Sequence, residues 1–291
     1  MENLRGAVLM TLAMLGFAVE DMFIKLMAGA LPTWEIIAAL GTGGATVFAG
    51  LIVWQRQSLF SRACLTWAVL GRNLGELIGT MGFITAIALT PISTASAILQ
   101  ATPLMVTLGA AIFLKEPVGW RRWSAILIGF LGVILVIRPG MEGFDALSLF
   151  AVIGVLGLGV RDLLTRNIPA VMSSFQLSFL GFLTLIPSAC ILSLFSDRSY
   201  VTPTPGLWML MAGSIVLGVA SYYAIVAAMR VGEVSYVTPF RYSRMIFALV
   251  VGVVVFGERP DALMLLGAAI IIGSGFYTIW RETTLKSRAR R

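Results

Sequence analysis

The first half of this 291-residue chain returns in its second half, displaced by about 141 residues, and each copy reads as five apolar stretches. Gly16, Val19, Asp21 and Lys25 align with Gly157, Val160, Asp162 and Arg166. Ser93 to Glu116 falls without a gap on Ser235 to Glu258 at a shift of 142. Five crossings per copy send the second copy into a bilayer from the opposite side, so the copies are expected to be inverted. The predicted fold class is all-α: a polytopic membrane protein of ten transmembrane helices, built as two inverted five-helix repeats around a central cavity. The first repeat is placed at 1–142 and the second, ending in a short basic tail, at 143–291. The seam between such repeats is where secondary transporters hold a substrate near the bilayer midplane.

Lipid is the only solvent that suits the rest of the chain. It is 58% hydrophobic and 12% charged, with a mean hydropathy of +0.94, more apolar surface than one water-soluble core can hide. A helical crossing of the hydrocarbon takes about 20 residues. The ten predicted stretches run near 4–28, 33–54, 64–89, 92–114, 121–138, 146–165, 170–195, 206–230, 234–256 and 261–281. The first carries Glu20 and Asp21 and lacks a cleavage site, so it reads as a retained span and not as a signal peptide. The net charge of +7 is explained without nucleic acid. Thirteen of the 21 Lys and Arg residues fall on the side of the amino terminus, which makes both termini cytoplasmic. All seven tryptophans lie near span ends, where indoles prefer the headgroup layer, and Cys64 and Cys190 sit toward opposite faces, too far apart for a disulfide.

Polar residues within the spans are the functional candidates. In the third stretch Arg72, Glu76, Thr80 and Phe83 are three or four apart and share a helix face, beside a Gly71, Gly75, Gly79 stripe suited to close packing. A charge near the bilayer centre costs roughly 2.5–3.5 kcal/mol on insertion scales, so this face meets either a wet cavity or its own Arg72–Glu76 ion pair. The repeat carries it onto Ser214, Gly218, Tyr222 and Ile225, which makes Tyr222 a candidate cavity residue, with helix packing as the alternative. Ser93, Ser96 and Gln100 recur as Ser235, Thr238 and Tyr242, a polar face serving either interhelical hydrogen bonds or a pathway lining. Pro103 and Pro239 are expected to interrupt these two helices.

Arg241 lies at the edge of this second face, placed to take a substrate carboxylate or to pair with Glu76 or Asp162, whereas Arg244 points away and reads as a helix-to-helix tie. Glu20, Asp21, Arg161 and Asp162 sit nearer span ends. Snorkelling or salt bridging is their default role, with substrate binding or proton relay as the alternative. The repeat exchanges Glu20 for Arg161. The chain has no histidine, so any proton coupling must use carboxylates.

These residues resemble the drug/metabolite transporter superfamily, in particular its ten-helix exporters built from two EamA-type repeats. The stretch AIALTPISTASAILQATPLMVTLGAAIFLKEP, Ala86 to Pro117, is similar to the repeat core of that family, and its second copy, Ala228 to Pro260, ends in Phe256, Gly257, Glu258, Arg259 and Pro260, close to the usual helix-end pattern. The first copy departs by having Lys115 before Glu116 and by lacking the residue that precedes the proline. Within the superfamily the chain looks most like the YddG-like aromatic amino-acid exporters. The resemblance implies a basket of helices around a cavity lined by the first, third, fourth, sixth, eighth and ninth spans.

The expected function is a secondary transporter of the bacterial inner membrane that exports amino acids, aromatic ones included, and related small metabolites by alternating access. Its expected partners are a small-molecule substrate and the lipid bilayer, with no nucleic acid, no metal and no other cofactor, and with monomer and dimer both open. The candidate substrate contacts are Arg72, Glu76, Thr80, Phe83, Ser96, Gln100, Asp162, Tyr222, Thr238, Arg241 and Tyr242. Export of drugs or other metabolites on the same scaffold is the alternative. An intramembrane enzyme fares worse, since the sequence offers no metal-spaced cluster, phosphate loop or nucleophile with its base, and a passive channel lacks a ring of like charges.

Overall fold

The computed structural model describes residues 2–115, 119–141, 144–165, 167–168, 171–231 and 234–289. Expectations attached to Glu116, Pro117, Arg166 and the Ser235 side chain lie outside the described residues. Where no water can satisfy the backbone, helices that close every hydrogen bond internally are the available solution. The described chain is helical throughout, without a strand. In order come α1 (Glu2–Ala28), α2 (Thr33–Trp54), α3 (Trp67–Leu89), α4 (Ile92–Leu99), α5 (Thr102–Phe113), α6 (Trp120–Ile137), α7 (Leu149–Thr165), α8 (Ser174–Leu194), α9 (Pro205–Val231), α10 (Val234–Val237), α11 (Ser243–Phe256) and α12 (Ala262–Ala289).

The two proline interruptions behave as their chemistry requires. Gln100 and Ala101 break what would be one helix into α4 and α5, with Pro103 in the first turn of α5. In the second copy a 3₁₀ segment, Thr238–Tyr242, holds Pro239 and joins α10 to α11. Gly257, at φ +63°, ends α11 in the left-handed conformation that glycine adopts without strain. At the other end of the bundle Ser173 and Gln176 cap α8 reciprocally, and Gln176 Nε2 also donates to the Ser58 carbonyl at 2.7 Å.

Eight helical segments among the described residues are long and apolar enough to cross a membrane, against the ten expected. The two that fall short have identifiable reasons. The 23-residue α3 is long enough but carries Arg72, Asn73 and Glu76, whereas α12 offers an apolar run only over Ala262–Thr278 before its polar tail. Both pack within the bundle, α3 against α7 and α8, α12 against α6.

The contact pattern has the form that an inverted repeat generates. Equivalent helices of the two halves pack as antiparallel pairs. Gly41 and Gly44 of α2 meet Leu185 and Phe182 of α8, and Gly129 and Gly132 of α6 meet Ser274 and Ile271 of α12. The remaining long contacts exchange partners: α1 lies antiparallel to α9, and α3 antiparallel to α7. Glycine makes the second seam possible. A Cβ on Gly75 would stand 2.8 Å from both the Arg161 amide nitrogen and the Gly157 carbonyl, so the two backbones approach as no side chain would allow.

At the end of the bundle where α1 and α3 finish, polar contacts join the two halves. Lys25 Nζ, within the first half, donates to the carbonyls of Ile87 and Thr90 beside them. Glu258, just past α11, accepts the amides of Ile92 at 2.6 Å and Ser93 at 3.1 Å, together with the Ser93 hydroxyl at 2.5 Å, and so caps α4 from the opposite half. Arg138 pairs with Asp261 beside them. Exposed apolar side chains on the outer faces of the helices, among them Leu127, Leu131, Val254 and Leu266, complete a surface made for lipid.

Candidate functional site

Between the halves lies a cavity of about 330 Å³, walled by α1, α3, α7, α8, α9 and the two interrupted helices. It runs from Ile24 and Ile84, short of the Lys25 and Glu258 contacts, to Thr165 and Ser178, where α7 finishes and α8 begins. Nine of the sequence candidates line it: Arg72, Glu76, Thr80, Phe83, Gln100, Asp162, Tyr222, Arg241 and Tyr242. Ser96 and Thr238 stand outside the lining. Ser96 is buried within the helix packing, one turn of α4 before Gln100, and its hydroxyl has no partner among the described residues.

The wall opposite α1 is a connected charge network. Glu76 accepts from Arg161 at 3.1 Å and Thr80 at 3.3 Å, and pairs with Arg72 at 3.4 Å, so the Arg72–Glu76 pair and the cavity face are one and the same feature. Arg161 also holds Asp162 at 2.8 Å. The same terminal nitrogen of Arg72, Nη2, donates to the Tyr222 hydroxyl at 3.4 Å, which ties the two equivalent faces of α3 and α9 together across the cavity. Arg241 reaches Asp162 at only 3.9 Å and is 36% exposed at its side chain, the least committed guanidinium of the site. Gln100 donates to the Tyr242 carbonyl at 3.1 Å across the breaks of the two interrupted helices, satisfying a backbone oxygen that the 3₁₀ turn leaves open. The Tyr242 ring stacks on Phe276, and its hydroxyl is buried without a hydrogen-bond partner among the described residues.

Glu20, Asp21 and Arg161, read as nearer span ends, all line the cavity. Glu20 and Asp21 are 9% and 2% exposed and line the cavity, so neither snorkels to a headgroup. The expected stretch and α1 both end at residue 28, and the difference lies in the cover that α9 and α11 give to α1. Arg244 does tie helices, as expected, and it does so within the cavity lining. It grips Asp21 through three hydrogen bonds of 2.7 to 3.1 Å and lies between the Phe17 and Phe83 rings, 5.0 and 5.1 Å from their centroids. Arg161 is the fourth guanidinium of the lining. Its alignment with Glu20 was legible in the repeat, whereas its reach to Glu76 depends on the close α3–α7 seam. Among the described residues no three His, Cys, Asp or Glu side chains gather as metal ligands.

The lining thus carries four carboxylates and four guanidiniums, with Phe17, Phe83, Phe182, Tyr222 and Tyr242 among them. Such a site suits a small organic molecule with a ring and polar groups of both signs, and its volume falls in the usual range of roughly 300–1,000 Å³ for small-molecule pockets.

The sequence matches the EamA-like transporter family twice, over residues 4–138 and 146–280. A riboflavin transporter of Vibrio cholerae is 32% identical over 81% of this chain and 78% of that protein. An S-adenosylmethionine uptake transporter of Rickettsia bellii is 25% identical, covering 75% and 74% of the two chains. The pseudopaline exporter CntI of Pseudomonas aeruginosa is 25% identical over 92% and 93%. A solved crystal structure shares the fold with a TM-score of 0.59 at 19% identity, over 96% of each chain. These relatives support transport on this scaffold. None of the three carries the name of an aromatic amino-acid exporter.

Proposed function

Because the chain belongs to the EamA-like transporter family and is a multi-pass membrane transporter, we propose that it carries a small, ring-bearing metabolite of zero net charge through the cavity between its halves. The observation that carries this reading is the balance of the lining, four carboxylates against four guanidiniums with aromatic faces between them. A net ion would upset this balance in a site shielded from water, where an unbalanced charge costs several kcal/mol. A zwitterion or a neutral hydrogen-bonding ring leaves the balance intact. Arg241 is the carboxylate contact, Phe83, Tyr222 and Tyr242 receive the ring, and Arg72, Glu76, Thr80, Gln100 and Asp162 supply polar contacts, with Ser96 and Thr238 behind them.

Two substrates of this class head the panel: riboflavin, because a relative at 32% identity is named for it, and aromatic amino acids, because Arg241 offers a loosely held guanidinium. Amino-acid export is the narrower form of the second. Residues 1–142 and 143–291 act as inverted repeats that rock about the cavity, in a bacterial inner membrane with both termini in the cytoplasm, the side with the excess of Lys and Arg. Purified protein in proteoliposomes, preloaded with unlabelled substrate and offered labelled riboflavin, aromatic amino acids and a permanently charged organic cation, tests the proposal. Counterflow is expected for a net-neutral ring compound and not for the cation. Preference for the cation, or no flux of any compound by folded protein, rejects it.

A further inference from the structure

Of the four cavity carboxylates, three have a guanidinium within ion-pair distance: Asp21 has Arg244, Glu76 has Arg161 and Arg72, and Asp162 has Arg161 and Arg241. Glu20 is different. It is nine-tenths buried, lines the cavity and has no hydrogen bond or ion pair to any described residue. The cause is visible in the repeat. Glu20 occupies the position of Arg161, and Gly218 the position of Glu76. The α3–α7 seam therefore has a cation 3.1 Å from a carboxylate, whereas at the equivalent α1–α9 seam the Glu20 carboxylate lies against a glycine, so close that a Cβ there would be 2.7 Å from Oε1. The symmetry has been broken twice, by exchanging the cation for an acid and by deleting the facing side chain.

We propose that Glu20 is the coupling carboxylate of the transport cycle, holding a proton when the cavity is empty and accepting an N–H of the substrate when it is full. This rests on the transport function proposed above. The neighbouring groups leave no other partner for it. Arg244 is held by three hydrogen bonds to Asp21, Lys25 one turn away is bound to the carbonyls of Ile87 and Thr90, and the α3 and α7 charges satisfy one another. Arg241 from the 3₁₀ segment faces Asp162, Tyr222 of α9 faces Arg72, and α2 and α4 add no titratable group to the described lining. An ionised carboxylate buried in this way is stabilised by a proton or by a donor, and the two exclude each other. Substrate binding on one side releases the proton from the Glu20 carboxyl to that compartment, and substrate release on the other side lets a proton rebind there. The net result is exchange of one proton for one substrate molecule.

Proteoliposomes with the membrane potential clamped at zero and a lumen about one pH unit more acidic than the bath should accumulate the transported panel compound roughly tenfold, the ratio set by one exchanged proton. Glu20→Gln, close in shape, should bring the ratio to one whatever residual flux it supports. Wild-type flux that ignores the pH gradient, or Glu20→Gln that still follows it, overturns the proposal. A second readout does not need flux. In substrate-free protein, infrared spectra across a pH titration should show the carbonyl band of a protonated buried carboxylic acid that Glu20→Gln lacks; identical spectra for both proteins overturn it. Protein without flux for any compound rejects the transport reading, and the infrared comparison then still decides the protonation of Glu20.

Discussion

Breaking the Arg244–Asp21 pair should destabilise the protein far more than removing both of its charges together. The 2.7 Å contact, at an effective dielectric constant of about 20, gives an attraction of about 6 kcal/mol, set against desolvation costs of several kcal/mol for each ion. The net worth of the pair is therefore small, and the loss of one partner is large. Arg244→Gln leaves Asp21, 2% exposed, as an uncompensated carboxylate beside Glu20, and Asp21→Asn leaves a guanidinium between the Phe17 and Phe83 rings without its hydrogen-bonded carboxylate. Each single variant is expected to lose about 3–5 kcal/mol, and the double variant much less than the sum, giving a coupling energy of about 2 kcal/mol or more. Equilibrium unfolding in mixed detergent and dodecyl sulfate micelles, run on all four proteins, measures the cycle. Single variants within about 0.5 kcal/mol of wild type, or losses that simply add, would refute the account of this buried pair.

Gly75→Ala places a methyl group 2.8 Å from two α7 backbone atoms, and overpacking of this kind costs about 1–3 kcal/mol, visible as reduced folded yield and an earlier unfolding transition. Glu258→Ala orphans the Ile92 and Ser93 amides, and an unsatisfied buried donor costs about 1–3 kcal/mol, so the α4 amides should exchange hydrogen faster by mass spectrometry. Asp261, in the loop before α12, is held below the ordinary aspartate range by its hydrogen bond from Arg138 and then by the Met264 amide. Its folded form binds the proton less readily than the unfolded chain, so its contribution is complete above the unfolded value and is lost as acid passes through the lower folded one. Stability should be indifferent to this group near neutrality and fall in strong acid, and Asp261→Asn should remove that part of the acid dependence. For transport, Arg241→Gln deletes a charge-assisted contact of about 1.5–3 kcal/mol, equivalent to a rise in apparent KM of roughly tenfold or more, with folded protein unchanged by gel filtration.

Much of this fold is written in one-dimensional pattern. Uniform apolar runs specify helices because lipid permits little else, Pro103 and Pro239 mark the interrupted pair, and the 141 to 142 residue displacement predicts which helices exchange partners. The candidate site is legible where polar residues recur at helical spacing, as on the Arg72 to Phe83 face. Legibility fails where position along a helix is mistaken for depth. Glu20 and Asp21 look peripheral by counting residues, yet α9 and α11 cover them, and which neighbour covers a residue is a property of packing. Ser96 fails for the converse reason. It shares the polar face with Gln100 but lies in the part of α4 that is buried among its neighbours. The finer substrate resemblance rested on the repeat core, which builds the scaffold, whereas substrate choice resides in the few side chains that line the cavity.

Thr80 lines the cavity wall and is half-buried, which makes it a reporter of access. In a background with Cys64 and Cys190 replaced by serine, Thr80→Cys in sealed vesicles of each orientation should react with a membrane-impermeant thiol reagent applied from either face. The transported compound should slow both reactions. Labelling from one face alone under every condition, or labelling that ignores substrate, would contradict a cavity that opens alternately to the two sides of the membrane.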